Sequence, residues 1–238
     1  MPVGLDPAPT YAVTYAVNLL LAGRPVLVVG GGRVAVHKVA GLRRAGARVT
    51  VVAPRIEPGL AADEGLTCHR RPYEPGEVAG YHLAIACTDD PAVNAAVAAD
   101  GEAAGVLVNS ADDPANCHFF LPAVAQRPPI QIAVSTGGAS PALASWLRRR
   151  LEAEIDTGRY AELAAILAEA RAELRARTGT SEHGGWADAL DRGLAELVAV
   201  GDLEGARHQL RHHLGLDGPP PGPDATTPRP LPTRAAGR

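Results

Sequence analysis

The sequence predicts an α/β protein in which a Rossmann-like parallel sheet is followed by two short strands and then by a helical unit. Three observations lead to this prediction. A buried strand, a glycine turn and a helix follow one another over 25–42, strands and helices then alternate up to residue 113, and helical spacing dominates from residue 141 onward. Alternation of strands and helices is typical of a doubly wound parallel sheet.

The first strong strand signal, Pro25–Val29, leads directly into three consecutive glycines. Gly30, Gly32 and Ala35 fit the G-x-G-x-x-G/A pattern of dinucleotide-binding turns. In that pattern the first glycine permits a tight turn, the second lets the backbone approach a pyrophosphate, and the small third residue lets helix and strand pack closely. The N-terminus of the following helix offers N–H groups to the phosphates. The stretch therefore predicts a dinucleotide site.

The remaining elements are predicted from apolar patterns and turn signals. Further strands are expected at 48–53, 66–71, 82–87 and 105–109, with a helix at 92–104, and the apolar segment 15–23 adds an edge element. After residue 113, strands at 119–125 and 130–134 precede helices at 142–155, 160–177, 186–200 and 203–214. The proline-rich segment 217–238 is predicted to be disordered.

The composition is that of an ordinary globular protein, with 46% hydrophobic residues and a net charge of −3. A nucleic-acid-binding domain is normally strongly basic, so we expect no nucleic-acid partner. The three cysteines include no C-x-x-C pair, which argues against a disulfide framework and favours the cytoplasm. The apolar stretch 11–29 is interrupted by Asn18, Arg24 and Pro25, so we expect no membrane segment.

The second strand lacks the acid that usually grips the ribose hydroxyls of NAD. It ends instead in Ala53, Pro54 and Arg55. Arg55 has two interpretations: a partner for the 2′-phosphate of NADP, or a solvated loop arginine. The residues alone leave the choice between NAD and NADP open.

Polar residues follow two other strands at the sheet edge where ligands of open α/β sheets bind. The segment 109–114 contains Asp112, which is either a general base beside the cofactor or part of a turn built from Asx residues and proline. Thr88, Asp89 and Asp90 stand before the helix at 92–104, where helix capping is favoured over catalysis.

Metal-ligating residue types occur at two places without the spacing of a metal site. Cys117 and His118 have no second pair at ligand spacing, so a structural role is favoured. His208, His212 and His213 lie on one predicted helix without a nearby carboxylate, which favours a solvated surface. The metal ligands, if any, are unknown from the sequence.

A second glycine-bearing loop occupies 135–141, with Ser140 predicted as the N-cap of the next helix. Thr136 and Gly137 lie in this loop, whose predicted role is a turn that favours phosphate or carboxylate groups. The three arginines at 148–150 form either a solvated helix face or a surface for an anionic substrate.

These segments together resemble the precorrin-2 dehydrogenase/sirohydrochlorin ferrochelatase family, the N-terminal module of siroheme synthase. The order and spacing of the segments are specific, and the resemblance covers residues 11–215. It is carried by the stretches 15–23, 28–35, 46–54, 84–90, 108–112, 119–122 and 133–141. The methyltransferase domain that follows this module in the fused enzymes is not expected in this chain.

The resemblance implies NAD⁺-dependent oxidation of precorrin-2 to sirohydrochlorin and, in many members, insertion of Fe²⁺ as a substrate to give siroheme. It makes Asp112 the catalytic base for the proton lost alongside hydride transfer. The cofactor-binding residues it implies are Gly30, Gly31, Gly32, Arg33, Val34, Pro54, Arg55, Thr88 and Asn109. The tetrapyrrole-binding residues are Thr136, Gly137, Ser140 and Arg148, with Thr136 at a position where some members carry a serine.

The resemblance also implies a homodimer and four segments. These are an NAD-binding Rossmann domain at 1–113, a small dimerisation region at 114–150, a helical tetrapyrrole-covering domain at 151–216 and the tail at 217–238. The competing hypothesis is a non-catalytic NAD-sensing Rossmann module whose helical part mediates association. Asp112 and the 135–141 loop favour the enzyme.

Overall fold

The structure, a computed structural model, describes residues 13–111 and 113–218, and its chain divides into two compact units. The first unit contains the described residues up to Ala123 together with Ser135–Ala144. The second contains Val124–Val134 and the described residues from Ser145 onward. The region 114–150, predicted as one dimerisation segment, is thus divided between the two units. The predicted tail from residue 219 onward lies outside the described residues.

The first unit is built on a five-stranded parallel sheet, which confirms the predicted fold class. Its strands are β1 (Pro25–Val29), β2 (Arg48–Val52), β3 (Thr67–His69), β4 (Leu83–Ala86) and β5 (Leu107–Ser110). The order across the sheet is β3-β2-β1-β4-β5. The strand order reverses between β1 and β4, and this switch point opens a crevice at the carboxyl ends of the strands.

Helices cover both faces of this sheet: α1 (Arg33–Arg44), the single turn α2 (Pro58–Ala61) and α3 (Pro91–Ala104). The side chains of β1 alternate between the faces, as the twofold period of a strand requires. Val26 and Val28 pack in a core cluster with residues of α1. Leu27 and Val29 pack in a second cluster with residues of α3. Burial on both faces explains why β1 is a continuous apolar run.

The edge element predicted at 15–23 is wrong. No helix or strand is assigned between residues 13 and 24, and five large apolar side chains there are exposed. They are Val13, Tyr15, Val17, Leu19 and Leu20. The reason lies in the topology: β1 is paired on one side with β2 and on the other with β4, so no strand edge is free beside the segment that enters β1.

The second unit combines a two-stranded antiparallel sheet with helices. The strands are β6 (Ala123–Arg127) and β7 (Ile130–Val134), of which Ala123 falls in the first unit. The helices are α4 (Pro141–Thr157), whose first turn belongs to the first unit, α5 (Tyr160–Thr178), α6 (Gly185–Ala189), α7 (Ala195–Ala199) and α8 (Leu203–His213). Leu163, Ile166, Ala170 and Leu174 form the buried face of α5, as their spacing predicts.

The single helix predicted at 186–200 is wrong in one respect. A π-helical segment, Leu190–Leu194, separates α6 from α7, and Gly193 adopts φ = 94° there. That left-handed backbone is accessible to glycine without strain, and it interrupts the regular helix.

Within residues 13–111 and 113–218, no helix is both long and apolar enough to cross a membrane.

Candidate functional site

The glycine turn after β1 is packed from behind by two other segments. Gly30 has φ = 124°, and a Cβ atom there would lie 2.5 Å from the carbonyl oxygen of Cys87 at the end of β4. A Cβ atom on Gly31 would overlap the carbonyl oxygen of Arg55 and lie 2.8 Å from Cα of Ile56. Both positions therefore require glycine, the first for its conformation and both for space. The requirement at Gly31 is not part of the sequence pattern, which leaves that position open.

Gly32 differs from its two neighbours because, in the part of the chain that the structure describes, no atom beyond its adjacent residues lies within 4 Å of its Cβ position. It is the N-cap of α1, and the first helical bond runs from Val36 N–H to its carbonyl oxygen at 3.2 Å. The N–H groups of Arg33, Val34 and Ala35 have no backbone partner in the described part of the chain. No acidic side chain stands in the first turn of α1. The open space at Gly32, next to these N–H groups in the chain, fits a dinucleotide pyrophosphate.

The loop after β2 lies against this turn. The backbone N–H of Glu57 donates to the carbonyl oxygen of Gly31 at 2.8 Å, which fixes the loop to the turn. Pro54 and Arg55 are exposed. Among the described residues, no side chain forms an ion pair or hydrogen bond with the Arg55 guanidinium. The two predicted cofactor residues therefore lie beside the glycine turn, and their contact with a dinucleotide stays a prediction.

The end of β4 forms the other wall of the crevice, and a buried asparagine organises it. Asn94 Oδ1 accepts the backbone N–H of Thr88 at 3.2 Å and its hydroxyl at 2.8 Å, while Asn94 Nδ2 donates to the Thr88 carbonyl at 3.0 Å. Asp90 caps α3 by accepting Ala92 N–H at 2.9 Å, as the sequence predicts. The hydroxyl of Thr88 is thus bonded within its own loop. Sequence reasoning missed Asn94, whose signal is a polar residue near the start of a helix that continues with the apolar stretch 95–99.

Cys87, beside Gly30, is held as a neutral thiol. Burial raises the pKa of the Cys87 thiol to about 11. A thiol in this state is a poor nucleophile at neutral pH. Its contribution is the shape of the crevice wall.

The residues after β5 form a tightly bonded loop. Asn109, predicted as a cofactor contact, is buried and donates from Nδ2 to the carbonyl oxygen of Phe119 at 2.9 Å. The sulfur of Cys117 accepts Ser110 N–H at 3.2 Å and lies 3.3 Å from the carbonyl oxygen of Asp113, to which its S–H can donate. Burial raises the pKa of this thiol as well. Asp112, the predicted catalytic base, lies outside the described residues.

The loop 135–141 adopts the predicted turn before α4. Gly137 N–H donates to Ser135 Oγ at 3.2 Å, and Ser140 N–H donates to Thr136 Oγ1 at 3.0 Å. Ser140 Oγ accepts Leu143 N–H at 3.2 Å, which is the predicted N-cap bond. The Thr136 hydroxyl accepts in this loop and keeps its own proton for a further partner. A serine at the same position has the same capacity.

In the second unit, Arg148 is bonded to Glu152 at 2.5 Å. Glu152 also contacts Arg127 at 3.2 Å, so the predicted substrate arginine is part of an ion-pair network.

The histidines of α8 have a carboxylate beside them, contrary to the expectation from the sequence. His212 Nδ1 lies 2.9 Å from Asp217 Oδ2, so that expectation is wrong. The contact crosses the end of α8, which the helical pattern does not reveal. Across 13–111 and 113–218, no three His, Cys, Asp or Glu side chains gather into a metal-binding group.

The switch-point crevice and the glycine turn define an NAD(P)-binding protein of the Rossmann class. A family model described as "Putative NAD(P)-binding" matches residues 17–123. A second, described as "Sirohaem biosynthesis protein central", matches residues 127–154.

Comparison with known proteins finds relatives that match most of this chain. The chain is 41% identical over 206 residues to siroheme synthase of Methylobacillus flagellatus, covering 84% of this chain and 44% of the relative. It is 42% identical over 201 residues to siroheme synthase of Nitrosococcus oceani, covering 82% of this chain and 43% of the relative. The chain thus spans less than half the length of these relatives.

A solved structure of SirC, precorrin-2 dehydrogenase, superposes with a TM-score of 0.65 at 27% identity, covering 84% of this chain and 98% of that one. These matches confirm the resemblance to the precorrin-2 dehydrogenase/sirohydrochlorin ferrochelatase family that the sequence predicts.

Proposed function

We propose that this chain catalyses the NAD⁺-dependent oxidation of precorrin-2 to sirohydrochlorin. The observation that carries the proposal is the open space at Gly32, next to N–H groups of α1 that have no backbone partner among the described residues. The chain is also similar to SirC, precorrin-2 dehydrogenase, along most of its length. The siroheme synthases with about 40% identity support the same pathway. NAD(P) use follows from the family; NAD rather than NADP is our proposal and rests on the resemblance.

Each part of the site has a role in this proposal. The N–H groups of residues 33–35 hold the pyrophosphate, and Pro54 and Arg55 lie on the adenosine side. Bound NAD⁺ would supply a hydride acceptor. Asp112 takes up the proton that the tetrapyrrole loses in the same oxidation, so hydride and proton leave as a balanced pair.

The 135–141 loop is proposed to bind the substrate. Thr136 contributes a hydroxyl donor, and Gly137 and Ser140 keep the turn in shape. Precorrin-2 carries several carboxylates, and Arg148 gives them a cationic partner if it exchanges its bond with Glu152.

Three further features complete the proposal. Fe²⁺ is a second substrate in members with chelatase activity, and the proton-accepting role of Asp112 suits removal of pyrrole N–H protons.

The proposal also covers assembly and location. The region 114–150 mediates a homodimer. We expect the protein in the cytoplasm, where the thiols of Cys68, Cys87 and Cys117 stay reduced.

The decisive experiment combines purified full chain, precorrin-2 and NAD⁺, with the sirohydrochlorin absorption spectrum as readout. Asp112→Asn should abolish turnover and leave NAD⁺ affinity unchanged. Asp113→Asn is the matched control, because Asp113 bonds Asn116 within the same loop at 2.6 Å and has no proposed chemical role. Intact NAD⁺ binding without conversion would instead support the non-catalytic NAD-sensing module. Addition of Fe²⁺ to sirohydrochlorin tests chelation separately.

A further inference from the structure

The loop after β5 is held together at a single sulfur atom. Sγ of Cys117 accepts the backbone N–H of Ser110 at 3.2 Å. The same atom lies 3.2 Å from the Ser110 carbonyl oxygen and 3.3 Å from the Asp113 carbonyl oxygen, so its S–H can donate to either of them. The contact with Asp113 reaches its main chain and does not depend on its carboxylate. One side chain therefore ties together two loop positions that stand on either side of residue 112.

These bonds need a protonated thiol. A neutral S–H group donates one hydrogen bond while the sulfur accepts another, whereas a thiolate can only accept. Burial raises the pKa of the Cys117 thiol, so the proton stays on the sulfur at neutral pH. A thiol in this state is a poor nucleophile, so the role that we assign to Cys117 is not chemistry at the sulfur itself.

The neighbouring residue, His118, shows what this edge of β5 needs for stability alone. Its imidazole and backbone N–H bond the two polar groups of Val108. Among the described residues, no hydrogen bond of His118 reaches 110–113. Closing the edge of β5 thus does not by itself require a bond to the Asp113 carbonyl, and the contact of Cys117 with that group needs another explanation.

We infer that Cys117 is a positioning residue for the proposed oxidation, because its thiol holds the loop after β5 on both sides of the base Asp112. Asp112 itself lies outside the described residues, and the contacts that carry the inference are those of the chain on either side of it. A general base must come within hydrogen-bond distance of the proton that it takes, and an error of about 1 Å in the position of a catalytic group can lower a rate about 100-fold. The inference rests on the proposed function, which makes Asp112 that base.

The experiment measures precorrin-2 oxidation by the full chain at saturating NAD⁺, with the rate expressed per NAD⁺-binding site as counted by calorimetry. Cys117→Ala should lower kcat about tenfold or more and leave the KM for precorrin-2 and the NAD⁺ affinity within about threefold of wild type. Cys117→Ser should recover most of the lost kcat, because a hydroxyl also donates one hydrogen bond and accepts others. Retained NAD⁺ binding demonstrates that each variant is folded.

His118→Ala is the matched control, since it removes an edge contact of β5 beside Cys117 without removing a bond to 110–113. It should be less stable than wild type and keep kcat within about twofold. The inference would be overturned by a normal kcat in Cys117→Ala, by no recovery in Cys117→Ser, or by an equal loss of kcat in His118→Ala. Each of these results leaves the proposed function intact, because the wild type still turns over. Wild type that binds NAD⁺ but leaves precorrin-2 unchanged would overturn the proposed function itself.

Discussion

The Nδ1 atom of His118 accepts the backbone N–H of Val108 at 3.0 Å, and the backbone N–H of His118 donates to the Val108 carbonyl at 2.8 Å. One residue thus satisfies both polar groups of Val108 on the outer side of β5, as a neighbouring strand would. An unpaired edge strand invites pairing with other chains, so His118 closes this edge. With Nδ1 accepting, the imidazole proton is on Nε2, 3.1 Å from Oε2 of Glu102.

His118→Ala should destabilise the protein by about 1–3 kcal/mol, because it leaves the N–H of the fully buried Val108 without its partner. His118→Asn is the matched control, since the amide oxygen can replace Nδ1 as acceptor, and it should recover most of the loss. Urea unfolding at pH 7 measures both. An alanine variant as stable as wild type would contradict the structural role of the imidazole.

Gly31 and Gly32 should respond in opposite ways to alanine. Gly31→Ala should cost about 1–3 kcal/mol of stability, because its methyl group overlaps the Arg55 carbonyl and the loop must shift. Gly32→Ala has space and φ = −88°, so stability should change by less than about 0.5 kcal/mol.

The same Gly32 methyl group would occupy the space proposed for the pyrophosphate, so NAD⁺ affinity should fall about tenfold or more. Thermal unfolding and NAD⁺ titration separate the two effects. If Gly32→Ala bound NAD⁺ normally, the dinucleotide would have to lie elsewhere.

The order of strands and helices in the first unit could be predicted because its signals are local. β1 and β4 are short apolar runs, and Asp90 with Pro91 marks the start of α3. The glycine turn was predictable for the same reason, since its pattern lies within a few residues.

The parts that were missed depend on distant partners. The need for glycine at Gly31 comes from the loop at Arg55, and the edge-closing role of His118 comes from Val108. No local pattern contains either partner. The break at Gly193 was missed because a single glycine within helical spacing does not by itself mark a change of helix type.

Asn94→Ala should destabilise the protein by about 1–3 kcal/mol, because the side chain is buried and bonds both backbone groups of Thr88. Thr88→Ser is the control: it keeps the hydroxyl that donates to Asn94 Oδ1 and should stay near wild type. Urea midpoints compare the two. Equal stability of Asn94→Ala and wild type would mean that the wall of the crevice at β4 forms without this side chain.

Tyr73 and Asp100 should make stability depend on acid pH. The Tyr73 hydroxyl donates to Asp100 Oδ2 at 2.6 Å and Gly76 N–H donates to the same oxygen at 2.7 Å, and these bonds hold the pKa of Asp100 below its ordinary 3.8. A carboxyl whose pKa is lower in the folded state adds stability above its unfolded pKa and loses it as pH falls through the folded pKa. Because Asp100 is only partly buried, we expect this part of the stability to be at most about 1 kcal/mol.

Tyr73→Phe keeps the ring in its core and removes the hydroxyl donor to Asp100. Urea unfolding should find it less stable than wild type at pH 7. The gap should narrow as the pH drops below about 4, because protonated Asp100 no longer gains from that donor. Asp100→Asn tests the same bond from the other side, and its stability should be less sensitive to acid than that of wild type. A Tyr73→Phe deficit of constant size from pH 7 to pH 3 would show that the hydroxyl stabilises through packing or a different partner, and not through the Asp100 carboxylate.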